Sequence, residues 1–214
     1  ALTHQELNHL DDAVKSYRET LAIQSDYAKA HNNLGIIYNE LGQNNDAIKS
    51  YKEALSLQPD FVDALNNLGN IQTELGKLDE AIKSYNQALD IEPNHIEVHN
   101  NLGNILNDLG QLDEAVKHYE KAIAIYPDYG EAHNNLGSTL NELGEMDKAV
   151  KHYERAIAIN PYYAEAHNNL GTALKAFGKL DEAIKSYMNA ITINPNFADV
   201  FFNLGILYYD LGQP

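Results

Sequence analysis

A step of 34 residues runs through the whole chain. Gly35, Gly69, Gly103, Gly137, Gly171 and Gly205 keep it, and a second series, Gly42, Gly76, Gly110, Gly144, Gly178 and Gly212, repeats at the same interval. Tyr17, Tyr51, Tyr85, Tyr119, Tyr153 and Tyr187 follow it, as do an alanine column from Ala13 to Ala183 and a proline column from Pro59 to Pro195. A fixed period of this length marks stacked repeats and overrides any domain count drawn from the 214-residue length. Five full units result, 28–61, 62–95, 96–129, 130–163 and 164–197, flanked by partial units 1–27 and 198–214 in one continuous array.

Each unit carries two helical patterns. In the third, Val98, Leu102, Ile105 and Leu109 form one apolar stripe, and Ala115, Val116, Tyr119, Ala122 and Ile123 form another. Gly110 and a cap at Asp113 separate the two, and Pro127 punctuates the exit. A single hairpin of this kind cannot bury its apolar face alone. Stacked neighbours must cover it, so the expected architecture is an all-α solenoid.

These columns resemble the tetratricopeptide repeat family. His31, Leu34, Gly35 and Tyr38, followed by Ala47, Tyr51 and Pro59, stand where that family's signature has a bulky residue, Leu-Gly, an aromatic, Ala before an aromatic, and Pro. The resemblance covers the whole chain and implies a right-handed superhelical solenoid of 34-residue helix–turn–helix repeats. The usual tryptophan column departs from the pattern: His31, Leu65, His99, His133 and His167 fill it, which makes the packing between repeats more polar.

The first helix of every full unit also carries a pair of asparagines. At about 100° per residue, Glu97, Asn100, Asn101, Asn104, Asn107 and Asp108 share a face opposite the apolar stripe. The family resemblance implies that first helices line a concave groove. Asn32 and Asn33, Asn66 and Asn67, Asn100 and Asn101, Asn134 and Asn135, and Asn168 and Asn169 would then stack along it, joined by Asn104, Asn107 and Asn141. An amide offers donors and an acceptor, matching the backbone of an extended peptide without reading its side chains. Each asparagine costs roughly half a kcal/mol against alanine in a helix, on the order of 5 kcal/mol for ten. Replacing Asn100, Asn134 and Asn168 with alanine is therefore expected to weaken peptide binding while melting holds or improves. The ladder resembles the asparagine-lined repeat arm of O-linked N-acetylglucosamine transferases, although nothing in the chain resembles their sugar-nucleotide domain. The carboxylate-clamping grooves of the same family need Lys or Arg. Here the corresponding positions are Asp63, Glu97, Glu131, Glu165 and Asp199, with Lys29 alone basic, so the expected partner is a neutral or basic protein segment.

Other chemistries find little support. Fifteen basic against thirty-one acidic residues give a net charge of −16, which repels nucleic acid and anionic membranes. No apolar run approaches the ~18 residues of a membrane span, no signal peptide is visible, and the compartment stays undetermined. Without cysteine there is no thiol nucleophile and no disulfide framework. Successive members of the His31, His99, His133 and His167 column lie roughly 10 Å apart if neighbouring helices pack normally, too far to share a zinc ion, and the same holds for His118 and His152. Such histidine rows are expected to sensitise packing near pH 6. Asp79, Glu80, Asp113, Glu114, Asp181 and Glu182 are explained by helix starts. No catalytic residue, metal or cofactor is expected.

The two ends are complementary. Residues 1–27 supply the latter part of a unit and 198–214 the first helix of one. The last helix replaces polar positions with Phe202 and Tyr209 and adds Phe201, Ile206 and Tyr208, while Val14, Tyr17 and Leu21 near the start form an unpaired apolar face. Two accounts are open: a piece of a longer array, or copies that join head to tail into a filament.

Overall fold

The computed structural model describes residues 4–212. They form twelve helices: α1 (His4–Ile23), α2 (Ala28–Glu40), α3 (Asn44–Leu57), α4 (Val62–Glu74), α5 (Leu78–Ile91), α6 (Ile96–Asp108), α7 (Leu112–Ile125), α8 (Gly130–Glu142), α9 (Met146–Ile159), α10 (Ala164–Ala176), α11 (Leu180–Ile193) and α12 (Ala198–Asp210). The even-numbered helices are the first helices of the repeats, and α3 to α11 odd are the second; α1 carries the second-helix columns. The chain divides into two compact units, Ala1–Ile105 and Leu106–Pro214. In the first, α1 packs on α2, α2 on α3 and α4, and α4 on α5. In the second, α7 to α12 pack consecutively, and α10 also touches α8 and α12.

The turn inside each repeat is set by one glycine. Gly42, Gly76, Gly110, Gly144 and Gly178 adopt φ between 70° and 78°, a left-handed conformation that a Cβ would strain. In the third repeat the Gly110 N–H donates to the Asn107 carbonyl and the Gln111 N–H to the Leu106 carbonyl, both at 2.8 Å. These two bonds close the helix end as a Schellman motif, and the next helix starts at once. The cap expected at Asp113 is therefore displaced. Gln111 is the residue before α7 and makes no side-chain cap, while Asp113 and Glu114 lie inside the first turn, where they meet the helix dipole. The same tight turn leaves Leu109, expected in the apolar stripe, 43% exposed.

The core is a row of tyrosines seated on glycines. A Cβ built on Gly35, Gly69, Gly137 or Gly171 would fall 2.4 to 2.7 Å from Cε1 of Tyr51, Tyr85, Tyr153 or Tyr187. Hydrogen at that glycine is what lets the phenol ring come this close to the first helix. The alanines at 47, 81, 115, 149 and 183 are fully buried beside these rings, where a larger side chain would hold the two helices apart.

Candidate functional site: the amide face of the first helices

The two asparagine columns do different things. Asn67 Nδ2 donates to Asn32 Oδ1 at 3.1 Å and Asn101 Nδ2 to Asn66 Oδ1 at 3.3 Å in the first unit; Asn169 Nδ2 donates to Asn134 Oδ1 and Asn203 Nδ2 to Asn168 Oδ1, both at 3.1 Å, in the second. The donor always belongs to the later repeat. The acceptors Asn32, Asn66 and Asn134 are buried, as is Asn100 of the same column, completely, whereas Asn168 is half-exposed. This corrects the expectation that the first asparagine of each pair lines the groove for direct ligand contact: Asn32, Asn66, Asn100 and Asn134 are covered. In the pairs at 32, 66, 100 and 134 the first asparagine is buried and the second half-exposed, while both members of the pair at 168 are half-exposed.

A second polar row runs beside the first. Asn101 Nδ2 also donates to Asn70 Oδ1 at 2.9 Å, and that oxygen accepts the Tyr85 hydroxyl at 2.6 Å. Ser138 and Thr172 take the equivalent place for Tyr153 and Tyr187, at 3.3 and 3.1 Å. Asn107 lies at the repeat joint, accepting the Thr139 hydroxyl at 2.6 Å, and Asn141 is half-buried one repeat on. Burial pushes the hydroxyl pKa of Tyr51, Tyr85, Tyr119 and Tyr153 upward, so these phenols stay neutral donors.

Within each unit, what a ligand can reach on the first helices is a set of half-exposed amides flanked by carboxylates. Asn33, Asn67, Asn101, Asn104, Asn135 and Asn169 are half-exposed, and Asp63, Glu97, Glu131, Glu165 and Asp199 are exposed near the helix starts. Lys29 is exposed at the corresponding position of α2. Among the described residues no group of three His, Cys, Asp or Glu side chains could hold a metal ion, and no helix is long and apolar enough to cross a membrane.

The histidines that replace the tryptophan column have a structural partner in common. Nε2 of His31, His99, His133 and His167 faces a backbone carbonyl six residues earlier, of Ser25, Pro93, Pro127 and Pro161, at 3.0 to 3.2 Å. A carbonyl only accepts, so Nε2 carries the proton. In the fourth repeat this has a consequence that the column spacing concealed. His133 Nδ1 lies 3.0 Å from His152 Nδ1, so His133 accepts and His152 donates. Burial, and then the neighbouring His133, push the His152 pKa down to about 4; burial also lowers that of His133, reinforced by Arg155 and opposed by the Pro127 carbonyl and Asp128. The unfolded chain therefore binds more protons than the folded one between pH ~6.5 and ~4, and stability is lost as pH falls through that window. Ser50, Ser84 and Ser186 occupy the His152 column in other repeats. His152→Ser is expected to remove about 1 kcal/mol of that loss, a figure discounted for partial exposure, in urea titrations compared at pH 7 and pH 4.5. An unchanged difference between the two pH values would refute this assignment.

The apolar face of α12 is open, whereas the face expected to stand unpaired on α1 is partly covered by the core. On α12, Phe201 is 50% exposed, Phe202 70% and Tyr209 84%, with Ile206 also exposed and Tyr208 half-buried. On α1, Val14, Tyr17 and Leu21 are half-buried and lean on the core of α2 and α3. Tyr17 is fixed there, its hydroxyl accepting from Asn33 Nδ2 at 3.1 Å.

Models of the tetratricopeptide repeat match residues 60–128, 94–161 and 152–185, and a TPR repeat model matches 4–42, 35–76 and 174–212. Among solved structures the chain is similar to MamA, at 28% identity and a TM-score of 0.69 over 78% of this chain and 97% of that one. It is similar to PilW, described as a widely conserved type IV pilus biogenesis factor, at 25% identity and a TM-score of 0.81 over 87% and 86% of the two chains. YrrB, described as a TPR protein with an unusual peptide-binding site, shares the fold at 20% identity and a TM-score of 0.71, over 90% of this chain and 99% of that one. No curated protein matches the chain.

Proposed function

Because the chain belongs to the tetratricopeptide repeat family, whose members are generally non-catalytic protein-interaction scaffolds, we propose that it holds an extended polypeptide of neutral or basic character along the amide face of its first helices. One observation carries this reading: in every full repeat after the first, a half-exposed asparagine lies four residues after an exposed carboxylate, as in Asp63 and Asn67 or Glu165 and Asn169. Amides satisfy a backbone of any sequence, and the carboxylates select for positive charge. The buried first column takes part indirectly, by fixing the spacing of the exposed one.

The test is fluorescence anisotropy with a labelled Ser/Thr-rich peptide carrying lysines, set against the same peptide with glutamates. The lysine peptide is expected to bind about tenfold more tightly, with Asp63→Lys and Glu97→Lys together erasing the preference. These side chains are exposed, so the fold should stand. Equal affinities for the two peptides would overturn the proposal.

A second reading has its own support. The bare aromatic face of α12 favours end-to-end association of copies of the chain, which the repeat architecture accommodates without disturbing the amide face.

A further inference from the structure

We infer that the fifth repeat holds a binding site for an imidazole ring, in the seam where α9 and α11 both pack on α10. Its residues are not those of the amide face, so the site stands or falls separately from peptide binding there. The fourth repeat supplies the template. In it the His133 and His152 rings meet nitrogen to nitrogen, with the Nδ1 atoms 3.0 Å apart, the centroids 5.3 Å apart and the planes tilted by 30°. The same two positions of the fifth repeat are His167 and Ser186, each 7% exposed. His167 Nε2 donates to the Pro161 carbonyl at 3.1 Å, as His133 Nε2 does to Pro127, so His167 Nδ1 is again an acceptor. Its donor is missing, because serine lacks the ring that His152 contributes. Among the described residues nothing bonds to His167 Nδ1 or to the Ser186 hydroxyl, and no enclosed polar side-chain atom is left without a partner, so both open to the space outside. With Glu154, Leu170, Glu182 and Lys185 they line a cavity of about 300 Å³.

Other repeats close this seam from within. In the second, Leu65 replaces the histidine, and the side chains of Gln72 and Ser84 bond each other at 2.7 Å. In the first, Arg18 reaches from α1 to the Tyr38 hydroxyl at 2.7 and 3.1 Å. The fifth repeat has neither device: Leu174 stands in the column of Tyr38 and Gln72, and Glu154 in that of Arg18. The charge differs as well. Glu182 occupies the column that holds Lys148 in the fourth repeat, and both Glu154 and Glu182 are exposed where they line the cavity. An imidazole placed as His152 is placed would donate one N–H to His167 Nδ1 and offer the other to a carboxylate, with Leu170 as an apolar wall. The histidine side chain of a protein partner and a free imidazole compound share this chemistry.

The experiment is a titration of the whole chain with imidazole at pH 7, followed in amide and histidine-ring correlation spectra. The His167 ring and the amides around Ser186 are expected to shift saturably with a dissociation constant of about 1 to 10 mM. The rings of His133 and His152, already bonded to each other, should stay in place. Ser186→His should lose at least about tenfold in affinity, because its own ring fills the seam, and His167→Leu should lose as much by removing the acceptor. Both substitutions introduce residues that other repeats carry at those positions, at His152 and Leu65, so the fold should stand. The same titration with a terminally blocked Gly-His-Gly peptide assigns the source: binding at least as tight as that of imidazole supports a partner's histidine, and binding of imidazole alone supports a free compound. No saturable shift up to about 50 mM imidazole, or undiminished affinity in either variant, overturns the site.

Discussion

Gly69→Ala is expected to destabilise the protein by about 2 kcal/mol, although the same change ordinarily strengthens a helix by about 1 kcal/mol. The added Cβ would lie 2.4 Å from Tyr85 Cε1, 2.7 Å from Cδ1 and 2.8 Å from Cζ. The ring cannot withdraw cheaply. It is 2% exposed, and its hydroxyl is held by Asn70 at 2.6 Å. Either the α4–α5 contact opens or the hydroxyl gives up its bond, and both losses exceed the gain in helix propensity. Gly205→Ala is the control, because its Cβ meets no atom and should stabilise by up to about 1 kcal/mol in dilute protein. Urea denaturation of the two variants decides the matter: midpoints moving in opposite directions support the tyrosine-on-glycine core, and a common direction would sink it.

That core was legible in the sequence because it is built from residue types whose physics is nearly unique. A glycine, an alanine and a tyrosine kept in register leave little but close helix packing, and α2, α4, α6, α8, α10 and α12 begin at the residues where the period restarts. The face of the asparagines was less legible. Neighbours such as Asn100 and Asn101 are about 100° apart on the helix, so both project toward the polar side, and only the position of the next helix decides which is covered. The His133–His152 contact was missed for a related reason. Each column alone spaces its histidines a repeat or more apart, and the pair arises between columns, where a first helix meets the second helix of its own hairpin. The available signal was compositional: histidine replaces serine at 118 and 152, and each time the tryptophan column of that repeat is also histidine. The displaced cap at Asp113 shows a third limit, since a Schellman turn lets one helix follow another without the cap residue that sequence reasoning looks for.

Asn134→Ala is expected to cost about 1 to 2 kcal/mol, reversing the stabilisation that helix propensity alone would suggest. Alanine gains roughly half a kcal/mol as a helix former, but it removes the oxygen that accepts Asn169 Nδ2 at 3.1 Å and empties a buried site. The second acceptor of that amide nitrogen is the Ser138 hydroxyl at 3.5 Å, the limit of a useful bond. Asn66→Ala should be milder by about 0.5 to 1 kcal/mol, because Asn101 Nδ2 already has Asn70 Oδ1 at 2.9 Å as a closer partner than Asn66 at 3.3 Å. A double-mutant cycle of Asn134→Ala with Asn169→Ala isolates the bond: the double variant should be less destabilised than the sum of the singles by about 1 kcal/mol. Strict additivity, or a gain in stability from Asn134→Ala alone, would mean that the ladder does not hold consecutive repeats together. A coupling of the expected size would place the stability of the scaffold and the spacing of its exposed amides in the same row of residues. Substitutions made to weaken ligand binding in the first asparagine column would then act through the repeat joint, and the exposed Asp63, Glu97 and Glu165 would be the positions at which recognition can be changed without loosening the array.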